Sequence, residues 1–140
     1  MKNVIAIACG FAKGRNLGEN AKAAIITRGM SEIVKLGVNM GAKRKTFYGL
    51  SGIGDLTLTC SSLKSRNTKF GYDLAKGGKL VDLKAKCILE GVESCESICK
   101  LGQEYGVELP LCNSVKKLIS GASANLIISN LLSRPLQFEN

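Results

Sequence analysis

Between Gly18 and Gly41, small and apolar residues recur at Ala23, Ile26, Met30, Ile33, Val34 and Gly37. Steps of three and four put them on one stripe of an α-helix. The Ala, Gly and Ser content of this stretch predicts close packing against other helices, with Arg28, Glu32 and Lys35 on other faces. Nowhere does the chain alternate apolar and polar residues between hairpin turns. A long helix without a sheet must find helical partners, so the sequence predicts an all-α bundle.

The remaining segments supply those partners. "NVIAIACG" at the start fits either a strand or a buried helix, because a short apolar run has no period of its own. Arg66 to Lys76 reads as a short helix with Phe70 and Leu74 on one side, stopped by Gly77 and Gly78. Val92 to Tyr105 reads as a helix with Val92, Cys95, Ile98, Cys99 and Leu101 inward, ended by Gly106. Pro110 opens another, carrying Leu111, Val115, Leu118 and Ile119. A last helix is expected from about Ser123 to Leu132, before Pro135.

Length and composition narrow the function. A chain of 140 residues suffices for one compact domain. Twenty basic against eleven acidic residues give a formal charge of +9, which favours anionic partners. The lysines are dispersed and not interleaved with aromatics, which argues against a nucleic-acid-binding module. No histidine is present, which excludes a His-centred triad, a His general base and a two-His zinc site. The six cysteines form no CxxC pair and read as free, mostly buried thiols of a cytoplasmic protein. Cys95 and Cys99 share a helix face, but two soft ligands without a second pair favour core packing, so no metal is expected. The N-terminus is brief and glycine-broken for a signal peptide, and no apolar run reaches membrane-spanning length.

The stretch "GLSGIGDLTLTCSSLKSRNTKFG" carries the selective polar groups. A small phosphorylated substrate needs an arginine fork for its phosphate, short donors beside it, and backbone amides where side chains are absent. Ser65, Arg66 and Asn67 at a helix start offer all three, aided by the positive end of the helix dipole. The same triplet also reads as a plain helix cap with a solvated arginine.

Five blocks, "KNVIAIACGFAKGRNLGENAKAAIITRGMSEIVKLG", "TFYGLSGIGDLTLTC", "SRNTKFG", "LEGVES" and "GVELPL", resemble in that order the C-terminal domain of the NAD(P)-dependent sn-glycerol-3-phosphate dehydrogenases. The resemblance runs from Lys2 to about Leu132. It implies a compact helical bundle of the 6-phosphogluconate-dehydrogenase C-terminal-domain type, here residues 1–134 with a polar tail at 135–140. In that family the domain follows a Rossmann domain. This sequence begins one residue before the lysine and carries no GxGxxG turn, so that domain is expected to be absent.

By the same resemblance, Lys2 is the catalytic proton donor and acceptor. Lys2, Asp55, Ser65, Arg66 and Asn67 contact the substrate, glycerol 3-phosphate or dihydroxyacetone phosphate. Arg66, Ile88 and Glu90 lie near NAD or NADP. The implied function is the substrate-binding and proton-transfer half of a dehydrogenase that supplies glycerophospholipid precursor. The alternative is a non-catalytic remnant acting as an interaction domain. A dinucleotide-binding domain in trans and a homodimer are the protein partners these readings leave open. The pattern breaks at Lys13, where the family usually has aspartate, at Arg15, and in "GAKRKTF", so part of the +9 lies away from the substrate site.

Overall fold

The computed structural model describes residues 2–43, 45, 56, 58, 60, 62–77 and 90–121. Five helices are defined: α1 (Lys2–Gly14), α2 (Gly18–Asn39), α3 (Arg66–Ala75), α4 (Glu90–Glu104) and α5 (Pro110–Ile119). No strand occurs among the described residues, so the all-α expectation holds. The expected helix at 123–132, Cys87 and the glycine stretch through Asp55 lie outside the described residues.

The ambiguous first segment is a helix, and it is the centre of the bundle. Every residue from Val4 to Ala12 is buried, because α2, α3, α4 and α5 all pack against α1. A helix covered on every side has no polar face, and so no amphipathic period to announce it. The approach of α3 is close enough to require glycine on both sides. A Cβ on Gly10 would run into the Thr68 carbonyl, and one on Gly71 into the Ile7 carbonyl. Phe70 is buried beside this crossing and Leu74 half-buried, as the short-helix pattern predicts.

α2 departs from its predicted facing. Its buried positions are Ala21, Ile25, Gly29, Glu32, Val34 and Leu36, whereas Ala23 is exposed and Ile26, Met30, Ile33 and Gly37 are half-buried. The helix is turned by about one residue from the apolar stripe, so Ile26, Met30 and Ile33 cover the edge of the core. Glycine at 29 allows this, since a Cβ there would lie 2.5 Å from Ile5 Cδ1. Glu32, expected on another face, is only 4% exposed.

α4 and α5 form a tight hairpin. Gly106 takes a φ of 68°, where the Val107 N–H returns to the Gly102 carbonyl at 2.8 Å and ends the helix. Cys95, Ile98 and Cys99 are buried, with Val92 and Leu101 packed at the edge. Pro110 occupies the first turn of α5, and Leu111, Val115, Leu118 and Ile119 all face inward. The cationic departures go to the surface: Lys13 is exposed in the last turn of α1, and the Arg15 guanidinium lies 5.5 Å over the Phe11 ring.

Candidate functional site

Ser65 is extended (φ −66°, ψ 126°) and caps α3, its hydroxyl oxygen accepting from the Thr68 N–H at 3.4 Å. Arg66 follows as the first helical residue and is exposed. Asn67, one residue on, turns inward and is 9% exposed. Its Oδ1 accepts from the Gly91 N–H at 3.2 Å. One consecutive triplet thus splits into a cap, a projecting cation and a buried amide. The geometry follows from 100° per residue around a helix start.

That amide joins two helix starts, and a third arrives at the same point. A Cβ on Gly91 would lie 2.6 Å from Asn67 Oδ1, 2.9 Å from Ile7 Cδ1 and 3.0 Å from the Asn3 carbonyl oxygen. Asn3, Asn67 and Gly91 are the second residues of α1, α3 and α4. Their meeting gathers Lys2, Arg66 and the backbone of Glu90 at one end of the bundle. Three helix N-termini therefore lie close together there, each carrying the positive end of its helix dipole. Lys2 and Arg66, both exposed, add two formal charges. The arrangement suits an anion with several oxygens.

Of the residues singled out from the sequence, the structure brings together Lys2, Ser65, Arg66, Asn67 and the start of α4 at Glu90. Asp55 and Ile88 lie outside the described residues. Two participants were not foreseen. Gly91 is the contact on which the three helix starts close, and its signal was only its place after Glu90. Thr68 is fully buried where α3 crosses Gly10.

Glu32 is a further unforeseen residue, and its role is structural. Its Oε2 accepts from the Leu111 N–H at 2.8 Å and its Oε1 from the Cys112 N–H at 3.2 Å. Leu109, which precedes α5, offers no side-chain cap. A carboxylate from α2 therefore supplies the cap that the local sequence lacks. Burial pushes the Glu32 carboxyl up from 4.5 to about 7, against the two backbone hydrogen bonds and the cations Lys35 and Arg28.

Five cysteines are described, all free and buried: Cys9, Cys60, Cys95, Cys99 and Cys112. Cys9 and Cys60 share a hydrogen bond that raises the Cys9 thiol, with burial adding to it, and lowers the Cys60 thiol against burial. Cys112 joins Cys95 and Cys99, the pair visible in sequence, so that three sulfurs lie within 4.8 Å of one another.

Comparison with known proteins gives one family. The model of the NAD-dependent glycerol-3-phosphate dehydrogenase C-terminus matches residues 1–128. A glycerol-3-phosphate dehydrogenase, NAD(P)+ type, of Maricaulis maris is 43% identical over 99% of this chain and 43% of its own length. A second, from Mycobacterium bovis, is 48% identical over 95% of this chain and 40% of its own. The crystal structure of glycerol-3-phosphate dehydrogenase from Coxiella burnetii superposes with a TM-score of 0.89 at 36% identity, covering 95% of this chain and 42% of that one. The chain thus spans less than half the length of the relatives it matches. On the match across residues 1–128 and on identities above 40% along nearly its whole length, the chain belongs to the C-terminal domain family of the NAD-dependent glycerol-3-phosphate dehydrogenases.

Proposed function

We propose that this chain is the substrate-binding and proton-transfer domain of an NAD(P)-dependent dehydrogenase that interconverts sn-glycerol 3-phosphate and dihydroxyacetone phosphate. The observation that carries this reading is the convergence of α1, α3 and α4 on Gly91, which collects Lys2 and Arg66 at three positive helix ends. Residues 1–134 form the domain, with 135–140 as a tail.

In this reading Arg66 holds two phosphate oxygens with its planar fork, and the backbone N–H groups of Arg66 and Asn67 at the start of α3 complete the anion site. The Ser65 hydroxyl already accepts from Thr68, so it serves substrate as a donor. Asn67 has its carbonyl committed to Gly91, which leaves its amino group to donate. Lys2 gives a proton to the ketone oxygen as C2 is reduced and takes it back in the reverse direction. Asp55 orients Lys2 or a substrate hydroxyl. The nicotinamide, when bound, supplies or accepts the hydride at C2.

The described residues fit an anion at one helix cluster, but include no strand-to-helix glycine turn for a pyrophosphate. NAD or NADP is accordingly held chiefly by a dinucleotide-binding domain, in the same polypeptide or in trans, with Arg66, Ile88 and Glu90 beside it. The reaction runs in the cytoplasm, where free thiols persist, and its product feeds glycerophospholipid synthesis.

A second reading has its own support. The Ser65 cap and the Asn67 tie to Gly91 would serve a non-catalytic remnant equally well. The test is to join the chain to a dinucleotide-binding domain of a relative and follow NADH or NADPH oxidation with dihydroxyacetone phosphate. Turnover that depends on Arg66 and Lys2 supports the dehydrogenase. A folded fusion without turnover supports the remnant.

A further inference from the structure

The α4–α5 hairpin holds a group of side chains that the dehydrogenase chemistry does not use. Cys95 and Cys99 lie one turn apart on α4, and Cys112 faces them from the first turn of α5. Their exposures are 1%, 4% and 0%. The Cys99 and Cys112 sulfurs are 3.3 Å apart, and all three fall within 4.8 Å of one another. Three sulfurs placed about 2.3 Å around one ion would stand about 4 Å from each other. The 3.3 Å between Cys99 and Cys112 is shorter than that planar value, as suits a pyramidal ion whose lone pair draws its three sulfurs together, and no pair exceeds 4.8 Å. Cys112 is also held from outside the cluster, since its N–H is fixed by the Glu32 carboxylate at 3.2 Å.

The geometry points to a buried three-thiolate site for a soft, three-coordinate ion, of which trivalent arsenic is the best-matched chemical class. Three arguments select it. First, the donors are sulfur only, and sulfur ligands select soft ions. Second, no fourth Cys, Asp or Glu joins the group among the described residues, and the chain has no histidine, so the described residues do not complete a closed tetrahedral zinc site. Third, a buried site disfavours net charge. Three thiolates around a trivalent ion sum to zero, whereas a divalent ion leaves one negative charge and a monovalent ion two.

The binding step balances without any oxidant. Arsenous acid, As(OH)3, exchanges its three hydroxyls for three thiolates, the three thiol protons leave with them as three waters, and arsenic stays trivalent throughout. Because the sulfurs are covered, entry requires the α4–α5 hairpin to open locally. The bound ion would then staple α4 to α5. Since α4 begins at Glu90 and Gly91, the staple also bears on the helix start at the proposed substrate site, although the inference itself is independent of that function.

The test uses the whole 140-residue chain, reduced and incubated with arsenite, then desalted and weighed by native mass spectrometry. The expected product carries one arsenic and has lost three hydrogens. X-ray absorption at the arsenic edge should count three sulfurs and no oxygen, a readout on the unaltered chain that needs no variant to fold. Cys112→Ala, and separately Cys99→Ser, should lose the three-hydrogen adduct. The double variant Cys9→Ala/Cys60→Ala should retain it. An unaltered chain that holds no arsenic, arsenic bound by fewer than three sulfurs, or an adduct that survives in folded Cys112→Ala or disappears in Cys9→Ala/Cys60→Ala would overturn the assignment.

Discussion

Glu32 offers the sharpest test of how this bundle is held together. Leu111 and Cys112 are the second and third residues of α5, the positions whose N–H groups an N-cap side chain ordinarily serves. With Leu109 unable to cap, replacing Glu32 by alanine leaves both donors buried and unpaired. Each such group costs about 1–3 kcal/mol, so the loss with the carboxyl protonated should be roughly 2–5 kcal/mol. The carboxyl also titrates. Its rise from 4.5 to about 7 means that the folded chain binds more protons than the unfolded chain between those values. Stability from this group is therefore complete below pH 4.5 and is lost as pH rises through about 7. At about 1.4 kcal/mol for each pH unit of difference, the loss is roughly 3 kcal/mol. Urea unfolding followed by helical circular dichroism at pH 5 and pH 8 reads both effects. Glu32→Ala should cost several kcal/mol at pH 5 and much less at pH 8. Glu32→Gln, which keeps the size and one acceptor, should remove the pH slope attributable to this site. If the unaltered chain and both variants lose stability in parallel as pH rises, the buried-cap argument is wrong.

Gly71→Ala should destabilise the fold by about 3 kcal/mol or more, since its methyl would meet α1 backbone, the Ile7 carbonyl and the Phe11 nitrogen, which cannot swing aside as a side chain would, and a thermal melt checks this. Ser65→Ala removes the α3 cap and should cost about 1 kcal/mol in urea unfolding, whatever the chain's activity. In a fusion carrying a dinucleotide-binding domain, Arg66→Ala should lower kcat/KM toward dihydroxyacetone phosphate by the equivalent of about 1.5–3 kcal/mol, with Arg66→Lys recovering little. Unchanged kinetics in Arg66→Ala would sink the phosphate-clamp reading. Lys2→Ala should instead act mainly on kcat, as a group does whose proton moves in the transition state, and steady-state kinetics separate the two patterns.

The sequence by itself determined the helical class, the bounds of α3 and α4 to within two residues, the start of α5, and the inward apolar residues of all three. Each of these rests on a local rule: a period of three and four, a glycine with positive φ at 106, a proline in a first turn. It also placed Lys2, Ser65, Arg66 and Asn67 as candidates, through the order and spacing of motifs that resemble a known family. Only the tertiary structure decided the rest. α1 was ambiguous because neighbours on every side leave it no polar face. The facing of α2 was displaced because Gly29 meets Ile5, a contact that no count of apolar residues along α2 contains. Glu32 looked like a solvent-facing acid, since its partners, the N–H groups of Leu111 and Cys112, come from a helix far along the chain. Cys112 was separated from Cys95 and Cys99 by the hairpin that brings it back to them. In each case the deciding contact joins residues distant in sequence, and local periodicity carries no information about which distant backbone will arrive.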